Sequence, residues 1–149
     1  MHPSLWQWLL QHDLERFTMF DDADLIHCYT RAEALEDGSL IDVSETATEV
    51  GFRVPVALTQ SVWIDCVAWA QEDNDRVIYQ DQSGRLWDVL WMAINAARRK
   101  TEASRVDFML MRVPRHSRGG EPVPVKLVLD ISPGDQGEAV ITIGFAEDF

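Results

Sequence analysis

The segment RVDFMLMRV, Arg105–Val113, decides the fold. Val106, Phe108, Leu110 and Arg112 alternate with Asp107, Met109, Met111 and Val113, the period of two that a strand shows when one face is buried. Just before it the period is different. RLWDVLWMAINAARRK, Arg85–Lys100, sets Leu86, Val89, Leu90, Ala93, Ile94 and Ala97 on one helical stripe, with Trp87 and Trp91 four residues apart. Arg98, Arg99 and Lys100 suit the negative end of that helix, so their plainest use is helix termination. After Val113, VPVKLVLDIS (Val123–Ser132) and EAVITIGFAED (Glu138–Asp148) read as two further strands. The loops PRHSRGGEP and PGDQG separate the three, and the second is a strong turn signal. Three consecutive strands make an antiparallel meander, and the helices gather before it. The layout is α+β, with helices packed on a mostly antiparallel sheet that ends in a C-terminal β-meander.

Working outward toward the N-terminus, Gln82-Ser83-Gly84 reads as a turn, VIYQD (Val77–Asp81) as a short strand or extended link, and EDNDR (Glu72–Arg76) as a solvated loop. Thr59 caps a helix over QSVWIDCVAWAQ, where Val62, Trp63, Cys66, Val67 and Ala70 fall at helical spacing. FRVPVALT is extended, and Pro55 argues for an edge or an irregular strand. Ser44 caps a short helix, Glu45–Val50, stopped by Gly51. In YTRAEALEDGSLIDV, Thr30 caps a helix over Arg31–Leu35, with Glu33 placed for a capping box. Asp37-Gly38 stops it, since glycine takes the left-handed conformation at no steric cost, and SLIDV follows as a strand. LIHCYT reads as a buried strand, FDDAD as an acidic turn, and Leu5–Phe17 as a helix capped by Ser4. There is no repeat and no linker. The expected organisation is a helical extension over residues 1–22 and one α+β domain over 23–149.

A chain of 149 residues with 46% hydrophobic residues suits one well-filled core. Thirteen Lys and Arg face 25 Asp and Glu, a formal net charge of -12. That balance repels a phosphate backbone and argues against direct nucleic-acid binding. It also makes the chain attractive to a basic groove on another protein, beside its plainer role in solubility. Cys28 and Cys66 form no CxxC and sit in apolar segments. With no secretory leader and no apolar run of membrane-spanning length, the reading is two reduced, buried thiols in a cytoplasmic protein.

Chemical motifs are scarce. The sequence has no Walker loop, dinucleotide fingerprint, nucleophile elbow or HExxH. His2, His12, His27 and His116 are scattered, and none pairs with Cys or acid at metal spacing, so no metal or other cofactor is expected. One stretch, IHCYTRAEALEDGSL, resembles the first element of an ADP-ribosyltransferase-type fold. That resemblance implies His27 on the NAD ribose, an aromatic residue such as Tyr79 on the nicotinamide, and a late acid such as Glu147. It covers this element alone, and His27 is more simply a polar residue on an apolar strand.

A second resemblance covers most of the chain. IHCYTRAEALEDGSLIDVSETATEVGFRVPVALTQSVWIDCV, DQSGRLWDVLWMAINAARR and ISPGDQGEAVITIGFAED resemble the DUF6573 family, small proteins of unknown function from plasmids, phages and other mobile bacterial elements. The resemblance implies a context and carries no catalytic residues. Small acidic proteins of that context often blunt host defence, so the expectation is a protein-binding module that inhibits or modulates host nucleic-acid-handling or defence machinery, of the anti-CRISPR or anti-restriction type. Its partner would be a host protein or nucleoprotein complex with a basic surface. The residues expected to meet it are Trp6 and Trp8, the acids Asp21, Asp22, Asp24, Glu33, Glu36, Asp37, Glu72, Asp73 and Asp75, and the arginines Arg31 and Arg53. The alternatives are the NAD-dependent transferase and a plasmid accessory homodimer without a host target, pairing through an edge near Pro55 or the last strand.

Overall fold

A computed structural model describes residues 29–100, 102–117 and 119–149. The expected N-terminal helix, the acidic turn and most of LIHCYT lie outside the described residues, and with them Trp6, Trp8, Asp21, Asp22, Asp24, His27 and Cys28.

The first described helix, α1 (Arg31–Asp37), forms as its local chemistry dictates. The Thr30 hydroxyl accepts from Glu33 N at 3.1 Å, and the Glu33 carboxylate accepts from Thr30 N at 3.3 Å. Gly38, at φ 85°, ends it. Strand β1 (Leu40–Asp42) leads to α2 (Ser44–Val50). Ser44 is not the cap of α2, as the sequence suggested; Val43 holds that position. The Ser44 hydroxyl is drawn away because it donates to Asp42 Oδ1 at 2.6 Å and accepts from Val56 N at 3.0 Å.

Strand β2 (Val56–Thr59) corrects a second expectation. The sheet order is β1-β2-β5-β4-β3, so β2 is interior and buried along its whole length. Pro55 sits just before the strand, where its missing N–H costs nothing, and its carbonyl accepts from Ile141 N at 2.9 Å. The last strand is interior too. Among the described residues the sheet's outer strands are therefore β1 and β3, not the Pro55 region or β5.

Thr59 caps α3 (Gln60–Val62), which widens into a π-helical segment, Trp63–Val67, and stops there. The sequence carries apolar spacing on to Ala70, yet Ala68 is extended at ψ 126°. The cause lies 20 residues downstream in the fold's own packing. Arg85 Nε donates to Val67 O at 3.1 Å and Arg85 Nη2 to Asp65 O at 3.3 Å. These are carbonyls that another turn of helix would have used. EDNDR is not a loop but most of α4 (Gln71–Arg76). Its N-cap is Ala70, which has no capping side chain, so Asp73 reaches back and accepts from Ala70 N at 2.8 Å.

Val77–Asp81 forms no strand. Asp81 caps α5 (Gln82–Arg99) by accepting from Gly84 N at 2.6 Å, so Gln82-Ser83-Gly84 is the first helical turn. Helix α5 buries Leu86, Val89, Leu90, Ala93, Ile94 and Ala97, the stripe read from the sequence.

The meander is β3 (Arg105–Arg112), β4 (Val123–Pro133) and β5 (Ala139–Gly144), all antiparallel neighbours; β5 runs parallel to β2. The last strand ends at Gly144 rather than near Asp148, and a 3-10 turn follows over Ala146–Asp148. The register puts Phe108 opposite Leu127 and Leu129 opposite Ile143. These residues form one apolar face with Val56, Leu58 and Ile141, covered by α2, the π segment and α5. Thr142 points the other way, and Arg31 Nη1 donates to it at 2.7 Å, which places α1 on the opposite face.

Candidate functional site

A cleft of about 590 Å³ runs between α5 and β3. Trp91, Met92, Asn95, Ala96 and Arg99 come from the flank of α5 beside its buried stripe. Val106, Asp107, Phe108 and Met109 come from β3, and Lys100 closes one end. Trp91 is 47% exposed and Met109 51% exposed. Trp87 and Met111, at the next turn and the next outward strand position, are exposed as well. Solvated large apolar side chains along the α5 wall of a groove mark an interaction surface more than a catalytic pocket. The groove is also locally basic at one end in a chain of net charge -12, through Arg99 and Lys100. Asp107 on the opposite wall is engaged by Lys126 Nζ at 3.2 Å.

Most of this surface was visible in the sequence without being recognised as a site. Trp87 and Trp91 stood off the buried stripe, and Met109 and Met111 stood on the polar side of the β3 alternation. The missing information was that β3 is the outermost of the described strands on that side of the sheet.

Among the described residues, the expected partner-binding positions are spread over α1, the approach to β2 and α4. Glu33, Glu36 and Asp37 are exposed on α1. Asp37 accepts from Ser39 N at 2.8 Å, from the Ser39 hydroxyl at 2.6 Å and from the Tyr29 hydroxyl. The Ser39 hydroxyl, then Tyr29, holds its carboxyl below the usual carboxylate range. Glu72 and Asp75 are exposed on α4 and Arg53 is exposed before β2. Asp73 is 3% exposed, buried rather than solvated. Besides Ala70 N it accepts from Arg115 Nε at 2.7 Å and pairs with Arg76. The Ala70 N–H, then the two guanidiniums, hold its carboxyl low. Arg31 is also committed internally, to Thr142 and to Ile141 O at 2.9 Å, and burial lowers its pKa.

Of the residues tied to the transferase resemblance, His27 lies outside the described residues. Tyr79 is 77% exposed on the stretch before α5, and Glu147 is exposed in the final turn. A second concavity of about 370 Å³ beside that turn is lined by Tyr29, Ser39, Thr59, Ser61 and Asp148, and includes neither. There the Asp148 carboxylate accepts from Thr59 Oγ1 at 2.7 Å, Ser61 Oγ at 2.8 Å and Phe145 N at 2.7 Å, a fastening of the chain's last turn to β2. Gly144 makes that closure fit, since a Cβ there would lie 2.8 Å from Thr59 Cγ2.

Cys66 is buried and free, and burial pushes its thiol up to about 12, so it is a packing group and not a nucleophile. Among the described residues, no three His, Cys, Asp or Glu side chains are grouped to hold a metal ion, and no helix is long and apolar enough to cross a membrane.

A family model described as a family of unknown function, DUF6573, matches residues 17–149. No curated protein and no solved structure matches the chain.

Proposed function

The chain belongs to the DUF6573 family, and on that premise we propose that it is a protein-binding module that docks on a partner through the α5–β3 cleft. The observation that carries this reading is one groove between Trp91 and Met92, exposed on α5, and the outer strand β3, whose Met109 is exposed on the strand's other face. Trp is a favoured anchor at protein interfaces and Met an adaptable one.

The target class we propose is host nucleic-acid-handling or defence machinery with a basic surface. Its support is the net charge of -12, which steers the chain toward such a surface, together with the mobile-element context that the family resemblance implies. The charge acts at long range and the cleft supplies the short-range contact.

The test is capture from nuclease-treated bacterial lysate with the tagged full chain and a Trp91→Ala variant, read by mass spectrometry. The expected result is a stoichiometric protein complex that survives nuclease and is lost with Trp91→Ala while the variant's melting temperature is kept. Capture of nothing beyond the chain itself, or equal capture by both proteins, overturns the reading.

A further inference from the structure

The cleft has a property that apolar side chains alone do not give: one of its walls is a sheet edge that no other described strand covers. Ser104 O accepts from Ile131 N at 2.7 Å, one step beyond Arg105–Asp130, the first pair of the β3–β4 register. Bonded and non-bonded pairs alternate along an antiparallel ladder. Val106, Phe108, Leu110 and Arg112 therefore bond to β4. Arg105, Asp107, Met109 and Met111 turn their N–H and C=O groups outward. Pro124 agrees with this phase, because it lacks an N–H and stands opposite Met111, a non-bonded pair. Among the described residues no strand lies beyond β3. The edge thus offers outward donors and acceptors at every second residue, about 6.8 Å apart, a spacing that matches another strand and not a helix.

We propose, building on the protein-binding reading above, that β3 takes an extended segment of the partner protein as a sixth strand. Alternate apolar residues of that segment fill the cleft against Trp91, Met92 and Phe108. An acidic residue of the segment meets Arg99 and Lys100 at the basic end. Main-chain bonds to β3 supply affinity, and the α5 wall selects the side chains, as in strand addition generally.

A second copy of this chain is the poorer occupant. Two copies carry -12 each and repel. A two-fold pairing centred on Asp107 sets like charges opposite each other. The pairing that sets Arg105 against Asp107 overlaps only the Arg105–Asp107 end of the strand.

The test has two parts, both on the full chain. The probe is a displayed library of random twelve-residue peptides. Selection should enrich peptides with apolar residues at alternate positions and a flanking Asp or Glu. Met109→Pro removes one outward N–H and leaves the β4 ladder intact, so it should weaken an enriched peptide at least tenfold. Met109→Thr, which keeps the donor, should bind within a few-fold of wild type. Arg99→Glu should cost a similar tenfold and lower the salt dependence of binding. Amide exchange then reads the edge directly: Arg105, Asp107, Met109 and Met111 amides should exchange fast in the free protein and slow when the peptide is added.

Failure to enrich any peptide, or a peptide indifferent to Met109→Pro, overturns the proposal. Slow exchange at those four amides in the free protein also overturns it. If that protection grows with protein concentration the occupant is a second copy; if not, the chain closes its own edge. Partner capture that survives Met109→Pro would leave the protein-binding reading standing while removing strand addition. Absence of any captured partner would remove that reading itself.

Discussion

Arg85 shows how one side chain sets the course of a distant segment. It is 5% exposed, donates to Val67 O, Val113 O and Gln80 Oε1, and lies 4.6 Å from the centre of the Trp69 ring. Burial lowers its pKa, and among the described residues its direct contacts are carbonyl oxygens and the ring, with Asp65 and Asp73 acting on it at longer range. Replacing it with methionine keeps bulk but orphans those carbonyls. Arg85→Met should lose about 2–4 kcal/mol in urea unfolding, on the scale of one or two buried acceptors left without donors; an unchanged midpoint would contradict the role given to it. Asp73, the buried one of two carboxyls held low, contributes to the pH dependence. Its folded carboxyl titrates below the ordinary 3.8 because Ala70 N–H, then Arg115 and Arg76, favour the charged form. A depressed pKa contributes stability that is full above the unfolded value and is lost as pH falls through the folded one. Thermal stability should therefore drop below about pH 4, and Asp73→Asn should melt several degrees lower at neutral pH with a shallower acid limb. An identical acid limb in the variant would assign the effect to other carboxylates.

At the scale of elements, legibility tracks the distance over which each cause acts. Helix α1 was readable because Thr30, Glu33 and Gly38 lie within nine residues and carry its start and stop themselves. Thr30→Ala should cost about 1 kcal/mol, the usual worth of such a cap, measured by chemical denaturation. The stripe of α5 and the alternation of β3 were readable for the same reason, since periodicity is local. Leu90, fully buried at the centre of that stripe, should lose about 2–5 kcal/mol on change to alanine. The break at Val67 was not readable, because the group that causes it is Arg85. Helix α4 hid behind an alanine at its N-cap, with the capping carboxylate three residues inside. The start of α1 has a further support no local reading could find. Asp135, in the turn after β4, accepts from Arg31 N at 2.8 Å and Ala32 N at 2.9 Å across the sheet. The interior position of β2 was equally hidden, because strand order depends on the parallel pairing of β2 with β5.

For the whole molecule, the acidity has two parts. Asp37, Asp42, Asp73, Asp81, Asp135 and Asp148 are committed to backbone or side-chain donors and shape the fold. Glu36, Glu72 and Asp75 stay on the surface of two different helices, α1 and α4, and Glu33 does so while also accepting from Thr30 N. That division separates a long-range field from a short-range site. The candidate site itself was only half legible: its aromatic and methionine residues stood out, whereas its position beside a free edge needed the sheet order. Binding to a basic partner should weaken with salt chiefly through the association rate, as steering does. Glu33→Gln with Glu36→Gln should reduce that salt dependence by stopped-flow while leaving the dissociation rate nearly unchanged.

The most direct measurement compares the affinity of a captured partner for wild type, for a Trp91→Ala, Met92→Ala cleft variant and for the Glu33→Gln, Glu36→Gln variant, all with melting temperatures first shown to match. The expected result is at least a tenfold loss for the cleft variant and only a weakened salt dependence for the acid variant. Full affinity in the cleft variant, with the loss falling on the acid variant, would contradict the cleft as the docking surface and make the acidic face the site.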